Sequence, residues 1–386
     1  MRRDSDRDST RLRVITDSTT LEGGPMATET FRSGRDFMPS ETPQRIPHIF
    51  GRPLPGRAFA PGIPHVRADL HLHSSFSYDV INHPALAPRA LYERARERGM
   101  GLFTLTDHET MRGILSLQSE LREEFGDTPP IPAVTGIEIY VRDPRVGHVI
   151  HVNVLGLDQK QANALAKRRR DLDAFLSFCE REHLYHAYNH PFWFEPGERA
   201  TLETISELVE RFPVVELNAG RILPLNHRTI ALAEQHGKSL VACSDSHTGR
   251  VGRAYTTAPG RTAEEFLANV TSGNSIVVPR CTSLGDFLDE VHGTLDLVFS
   301  LQQALPIKRT FLRKYPRLRR VAQLALESDR VMKSGLLQQI ARRALGIIAY
   351  APASAFIWEQ RQMHKRLEEL EAALADPGLE AGLAEA

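Results

Sequence analysis

The sequence predicts an α/β domain whose strands deliver their chemistry to one shared face. Three observations carry this. From Val66 onward short apolar stretches alternate with amphipathic ones, and each apolar stretch ends in a polar cluster rich in His, Asp or Glu. The alternation repeats at roughly 30 residues per unit, the length that stacked βαβ modules require. Loops that follow parallel strands of a barrel-like sheet lie on one face, so polar clusters far apart in sequence converge there.

Residues Met1 to Pro64 mix charge, Ser, Thr, Gly and Pro without strand or helix period, ending in the proline-punctuated stretch Ile46 to Gly56. They read as a disordered or loosely docked arm. The first strand ends in Asp69-Leu70-His71-Leu72-His73, and a helix from near Pro88 is closed by Gly99. Leu102 to Leu105 is the second strand and runs into Thr106-Asp107-His108; a helix from about Met111 to Phe125 follows, closed by Gly126. Strands near Ala133-Val134 and from Val149 to Leu155 carry Glu138 and His151. One long helix is predicted from Gln159 to about His183, with Leu165, Leu172, Phe175, Leu176 and Cys179 on its apolar stripe. Thr201 to Phe212 reads as a helix, Val214 to Asn218 as a strand, Leu225 to His236 as a helix closed by Gly237, and Ser239 to Cys243 as a strand ending in Ser244-Asp245-Ser246-His247. After Val278 the pattern turns helical. The boundaries that follow are 1–64 for the arm, 65–280 for the α/β domain and 281–386 for a helical C-terminal extension.

Composition narrows the function. With 48 basic and 48 acidic residues the formal net charge is zero, so no global field draws the chain to nucleic acid or acidic lipid, and an anionic ligand must be held locally. Three cysteines, none in a CxxC pair, make neither a disulfide framework nor a thiolate zinc site. Sixteen histidines are the stronger signal, because neutral imidazole is the commonest protein ligand for transition metals.

His71 and His73 are two apart on a strand, so both rings point to one face. Flanking leucines make that strand buried, where paired imidazoles without partners would be costly. A metal ion supplies the partner; a solvated polar face is the alternative. Asp79 lies close enough in sequence to fold over the same site. In Asp107-His108 the carboxylate fits a group that orients a ligating imidazole. Glu138 sits among apolar neighbours, where an unpaired carboxylate would be unstable. Of His148 and His151, the second shares a strand face with Asn153 and is the candidate, with His148 exposed. His190 precedes Pro191 and is held in extended backbone, while His186 has a structural role. Asp245 and His247 repeat the spacing of His71 and His73 at another strand end.

Taken in order, Asp-x-His-x-His-x-x-x-Ser-x-Asp (69–79), Thr-Asp-His (106–108), Gly-Ile-Glu (136–138), His151, Asn-His-Pro (189–191) and Ser-Asp-Ser-His (244–247) resemble the PHP family, named for polymerase and histidinol phosphatase. The resemblance covers about Val66 to Pro279. It implies a distorted (β/α)7 TIM-like barrel and a site holding two or three divalent ions, Zn, Mn or Fe. Carried over motif by motif, the metal ligands are His71, His73, Asp79, His108, Glu138, His151, His190, Asp245 and His247. The implied activity is hydrolysis of a phosphate ester, a small phosphomonoester or a nucleotide end, by metal-activated hydroxide. Beyond the ligands, Asp107 and Arg253 are the candidate catalytic residues. Arg221, Arg250 and Arg253 follow ligand-bearing strands, either as a phosphate clamp or as solvated loop arginines.

The polar N-terminus has no apolar segment behind it, and no apolar run reaches the ~18 residues of a spanning helix; the nearest is Ala344 to Trp358. A cytoplasmic protein is expected, with a peripheral position at the inner membrane face left open. Lys308 to Arg343 holds eleven Lys and Arg against Glu327 and Asp329. That stretch is read as a capping subdomain or as a surface for a membrane or a partner protein.

Overall fold

The strand that leads into Asp69 organises the rest. A computed structural model of the chain describes residues 13–14, 65–194, 198, 200–305 and 316–374. Of the expected N-terminal arm only β1 (Arg13–Val14) falls within these residues, paired in parallel with β11 (Ile276–Val278); the remainder of 1–64 lies outside them. The other strands are β2 (His65–Ala68), β3 (Phe103–Thr104), β4 (Ala133–Val134), β5 (Gly136–Val141), β6 (Ile150–Leu155), β7 (Tyr185–Tyr188), β8 (Val214–Asn218), β9 (Ser239–Cys243) and β10 (Tyr255–Pro259). The helices are α1 (Pro88–Glu97), α2 (Arg112–Phe125), α3 (Gln159–Arg168), α4 (Leu172–Arg181), α5 (Leu202–Arg211), α6 (Leu223–Gln235), α7 (Ala263–Thr271), α8 (Leu284–Ser300), α9 (Pro316–Leu326), α10 (Asp329–Met332) and α11 (Gly335–Leu374).

Three sheets result: β1-β11-β10-β2, β3-β4 and β5-β6-β7-β8-β9. Every residue of β5, β6, β7, β8 and β9 is buried, as expected where a sheet is covered on both faces. The α/β character agrees with the sequence, but the all-parallel barrel-like sheet does not. The sheets are not closed, and β5, β6 and β7 pair antiparallel. The cause is loop length: only residues 142–149 separate β5 from β6, and a parallel crossover needs about a dozen residues or more. Two isolated parallel bridges, Leu72↔Ser246 and His108↔Glu138, bring the ends of separate sheets together at the polar clusters.

Local chemistry explains most boundaries. Thr201 accepts the Thr204 N–H at 3.1 Å and caps α5, while Asp158 with Gln161 and Ser283 with Asp286 form capping boxes at α3 and α8. The single long helix expected over 159–183 is two. Asp171 caps α4 by accepting the Ala174 N–H at 3.1 Å, buried Asp143 accepts the Leu172 N–H at 2.9 Å, and the Arg169 carbonyl receives the Arg142 N–H at 2.6 Å. These bonds engage the break more favourably than a continued helix would. The apolar stripe was nonetheless read correctly: Leu165, Leu172, Phe175, Leu176 and Cys179 are all buried in the main core.

The extension past residue 281 is helical where described, with its own small core of Leu295, Val298, Phe299, Ala322, Leu326, Met332 and Leu345. Its helix α11, with Pro352 inside it, is long and apolar enough by length and composition to cross a membrane, which the uninterrupted run in the sequence is not.

Asp69 fastens the frame. Its carboxylate, almost fully buried, accepts the Ser244 N–H at 3.0 Å on one oxygen and the Gly252 N–H at 2.8 Å on the other, tying the first strand to the loop behind β9. Asp69→Ala leaves both donors unmet and should destabilise the protein by about 2–4 kcal/mol in urea unfolding. Asp69→Asn, which keeps one acceptor, should recover part of that loss; an alanine variant as stable as the parent would refute this role.

Candidate metal centre

His71 and His73 stand on the extended backbone beyond β2, both fully buried, and their Nε2 atoms lie 3.1 Å apart. Two imidazole nitrogens turned toward each other at that distance call for a shared cation or proton. Around them sit Glu138 Oε2, 3.2 Å from His71 and 3.4 Å from His73, and Asp245 Oδ1, 3.3 Å and 3.1 Å away. On its other side His71 Nδ1 lies 2.8 Å from Glu216 Oε1. A carboxylate there fixes the ring and its tautomer and leaves Nε2 to face the cluster.

Asp79 Oδ2 reaches both His108 Nε2 (3.1 Å) and His247 Nε2 (3.0 Å). On the opposite flank Glu138 Oε1 is 3.2 Å from His151 Nδ1 and 3.5 Å from His190 Nε2. All nine residues expected as ligands therefore lie together. Eight of them, with Glu216, fall into overlapping donor groups able to hold an ion, His71-His73-Asp245, His73-His108-His247, Glu138-His151-His190 and His71-His190-Glu216, while Asp79 bridges His108 and His247. The donor set, imidazoles and carboxylates without thiolate, suits divalent metal ions. His73 Nδ1 and His151 Nε2 are buried and have no hydrogen-bond partner, and His151 Nδ1, though near Glu138, lacks hydrogen-bond alignment. Such orphaned imidazole nitrogens in a buried cluster fit metal coordination.

The backbone is bent to make this arrangement. Asp245 (φ 51°) and His190 (φ 29°) both occupy the left-handed region, a conformation that costs an ordinary residue about 1–2 kcal/mol. Asp245 is held there by its N–H donating to the His71 carbonyl at 2.9 Å, and His190 by its N–H donating to Glu216 Oε2 at 2.9 Å.

Charge follows the geometry. Burial pulls the His71 imidazole down, but Asp245, Glu216 and Glu138 outweigh it and hold its pKa well above the ordinary value. Burial and the neighbouring His247 and His108 push His73 down to about 3. His108, buried yet facing Glu138 and Asp79, is held at about 10; His247, buried yet bonded to Asp79 and close to Asp245, at about 9. Glu138 is held well below its ordinary value because the imidazoles around it outweigh burial.

Four expectations change: those for Asp107, for the loop arginines, for His148, and for His190, whose backbone is left-handed and not extended. Asp107 does not orient His108: neighbouring side chains on extended backbone point apart, and its carboxylate accepts the Ser74 N–H at 2.6 Å and the Ser74 hydroxyl at 2.8 Å. The His108 ring is held instead by Asp79, Glu138 and the Tyr140 hydroxyl, 2.9 Å from Nδ1. Arg253 is engaged by Asp286 (2.8 Å) and Glu290 (3.0 Å) of α8, and Arg250 by Glu290 (3.4 Å), so both tie the loop behind β9 to the C-terminal helices. The partners lie some thirty to forty residues downstream, beyond the reach of local sequence. His148 is buried against Phe194, not exposed. His186 is structural, with Nδ1 2.9 Å from the Leu184 carbonyl.

The sequence reading missed Glu216, whose signal was a carboxylate inside the apolar run Val214-Val215-Glu216-Leu217, the same sign that marked Glu138. It also left Arg221 ambiguous. Arg221 is buried, stacked 4.7 Å from the Trp193 ring centre and 5.5 Å from that of Phe356, and its Nε has no hydrogen-bond partner. Burial lowers its pKa to about 10, with Asp245 and Glu216 working the other way, so it remains a cation at neutral pH.

A sequence model of the PHP domain matches residues 69–271, more than half of the chain. No curated protein is a significant match. Among solved structures the chain is similar to PsfC from Pseudomonas syringae, with 20% identity, a TM-score of 0.44, and 60% of this chain and 98% of that one covered. It is also similar to a protein assigned as a metal-dependent phosphoesterase from Bifidobacterium adolescentis, at 18% identity and a TM-score of 0.33. A third is an amidohydrolase from Chromobacterium violaceum solved with bound sulfate and no metal, at 18% identity and a TM-score of 0.34. Each of these last two covers 46% of this chain and 87% of its own.

The raised values of His108 and His247 set a pH dependence. A folded pKa above the unfolded one near 6.5 contributes stability that is complete below 6.5 and is lost as pH rises through 9 to 10. Chelator-treated protein should therefore melt at falling temperature across that window. Added Zn or Mn, which replaces the protons, should raise the melting temperature and flatten the decline. Melting curves indifferent to both chelator and pH would contradict this assignment of the cluster.

Proposed function

The chain belongs to the PHP domain family, and on that premise we propose that it is a metal-dependent phosphoesterase acting on a small phosphomonoester or a nucleotide end. One observation carries the reading: a buried set of overlapping imidazole and carboxylate donor groups is joined through Trp193, whose ring centre is 6.1 Å from that of His190, to Arg221, a buried guanidinium stacked on Trp193 with an unpartnered Nε. The first suits two or three divalent ions, Zn, Mn or Fe; the second suits an anion. Together they describe a site for a phosphoryl group better than for a neutral amide or ester.

The ions would supply a nucleophile from water at neutral pH and positive charge against the phosphoryl oxygens. His71, His73 and Asp245 would hold one ion, Glu138, His151 and His190 another, and Asp79, His108 and His247 the third position, with Glu138 reaching more than one. Glu216 fixes the His71 ring through Nδ1 and, by accepting the His190 N–H, the backbone of His190. Asn218 donates to Asp245 Oδ2 at 3.1 Å and keeps that carboxylate turned to the site. Arg221, packed against Trp193 and Phe356, would donate to a phosphoryl oxygen without reorganising.

The same reading extends to architecture. A distorted seven-stranded barrel over 65–280 is supported by the bridges Leu72↔Ser246 and His108↔Glu138, which join the sheets end to end, and 281–386 is then an addition to it.

The decisive experiment is metal analysis of purified protein followed by a phosphoester panel with added Mn or Zn. His71→Ala and Asp245→Ala should each lose both metal and activity, the latter by about a hundredfold or more. Arg221→Met should keep the metal and raise KM by about ten- to a hundredfold, the worth of a charged hydrogen bond, with Arg221→Lys recovering part. Turnover of no phosphoester under any metal, or full activity in both ligand variants, would overturn the proposal.

A further inference from the structure

Helix α11 has two apolar faces. One face packs inward: Leu345, Ala349, Ile357 and Leu367 are buried, and Gln360 binds the loop beyond β8 by accepting the Ile222 N–H at 3.0 Å and donating to the Gly220 carbonyl at 3.3 Å. At 100° per residue, the opposite face is lined by residues 336, 340, 343, 347, 350, 354, 358, 361 and 365. Its large apolar members are among the most exposed large hydrophobics of the described residues: Leu336 69%, Ile340 56%, Ile347 73%, Tyr350 54% and Trp358 60%. The stripe from Leu336 to Trp358 is about 33 Å long. Arg343, Arg361 and Lys365 complete it, all exposed; no carboxylate falls on it from Leu336 to Trp358, and Lys365, beyond that span, pairs with Glu369 at 3.6 Å. The neighbouring helix α9 adds exposed Arg317, Arg320, Val321 and Leu324.

A contiguous exposed apolar patch of this kind marks an interaction surface, and its charge selects the occupant. We propose that the outer face of α11 docks on an anionic lipid bilayer, lying in the plane of the interface with Leu336, Ile340, Ile347 and Trp358 among the acyl chains and Arg343, Arg361 and Lys365 at the headgroups. Trp and Tyr are suited to that boundary, and arginine and lysine can extend from an apolar stripe to reach phosphates. A second copy of the chain would set cation against cation along the same stripe. A spanning orientation would strip Gln360 and the inner apolar face from the domain. The bilayer satisfies both the apolar and the cationic parts of the face.

The test is flotation of the full chain with phosphatidylcholine vesicles, with and without phosphatidylglycerol. Binding should require the anionic lipid and weaken with salt. Ile347→Glu should reduce it about tenfold or more, and Arg343→Glu with Lys365→Glu should remove the preference for anionic lipid, while metal content and melting temperature stay at the parent values. In the unaltered protein, brominated lipid should quench Trp358 more strongly than Trp193, which is half-buried and packed against Phe356. No flotation with anionic vesicles overturns the proposal, as does flotation indifferent to Ile347→Glu. So does a concentration-dependent dimer in sedimentation that Ile347→Glu dissolves, which would give the face to a second copy.

Discussion

Glu138 is a carboxylate with no exposed surface, in the middle of a strand whose every residue is buried. Such a group is tolerable only with compensating charge. It has charge from the imidazoles of His71 and His108, both held above the ordinary value, and polar neighbours in His73, His151 and His190, all five rings within 3.5 Å, with the Asn189 amide donating at 2.9 Å. These partners come from the strand after β2, from the ends of β3 and β7, and from β6. One buried charge thus obliges four separate segments to meet, and it explains why polar clusters end the strands. The two left-handed residues, Asp245 and His190, are the local strain that this convergence demands and that its hydrogen bonds absorb.

How much of this was legible depended on whether the signal was local. The paired spacing of His71 with His73 and of Asp245 with His247, and Glu138 among apolar neighbours, are properties of a few adjacent residues, and the cluster they predicted is the one that forms. Helix ends were legible for the same reason, since Thr201, Gly99 and Gly126 act within one turn. What escaped were pairings across long separations. Glu216 meets His71 across 145 residues, and Arg253 meets Glu290 from another layer. The β5–β6 hairpin was missed because strand periodicity carries no direction: antiparallel and parallel neighbours share one apolar pattern, and only the short connection tells them apart.

The C-terminal helices are joined to the site through aromatic contacts. Trp193 lies beside His190, ring centres 6.1 Å apart, and beside Phe356 of α11 at 6.2 Å; Phe356 in turn stacks on Phe287 of α8 at 4.7 Å. The Arg221 guanidinium lies against the rings of both Trp193 and Phe356. The extension therefore forms part of the surroundings of that guanidinium, and its position against the α/β strands rests on those rings together with the ion pairs of Arg250 and Arg253.

The two-sidedness of α11 limits how this protein can vary over evolutionary time. Surface helices usually accept small insertions and deletions because one side carries no specific contact. In α11 a single added residue before Phe356 would turn all that follows by about 100°, carrying Gln360 off the Gly220–Ile222 loop and the outward stripe toward the domain. Substitution on the outer face is sterically free, whereas change of length is not. A helix this exposed should therefore drift among apolar or among cationic residues in descendants while its residue count stays fixed.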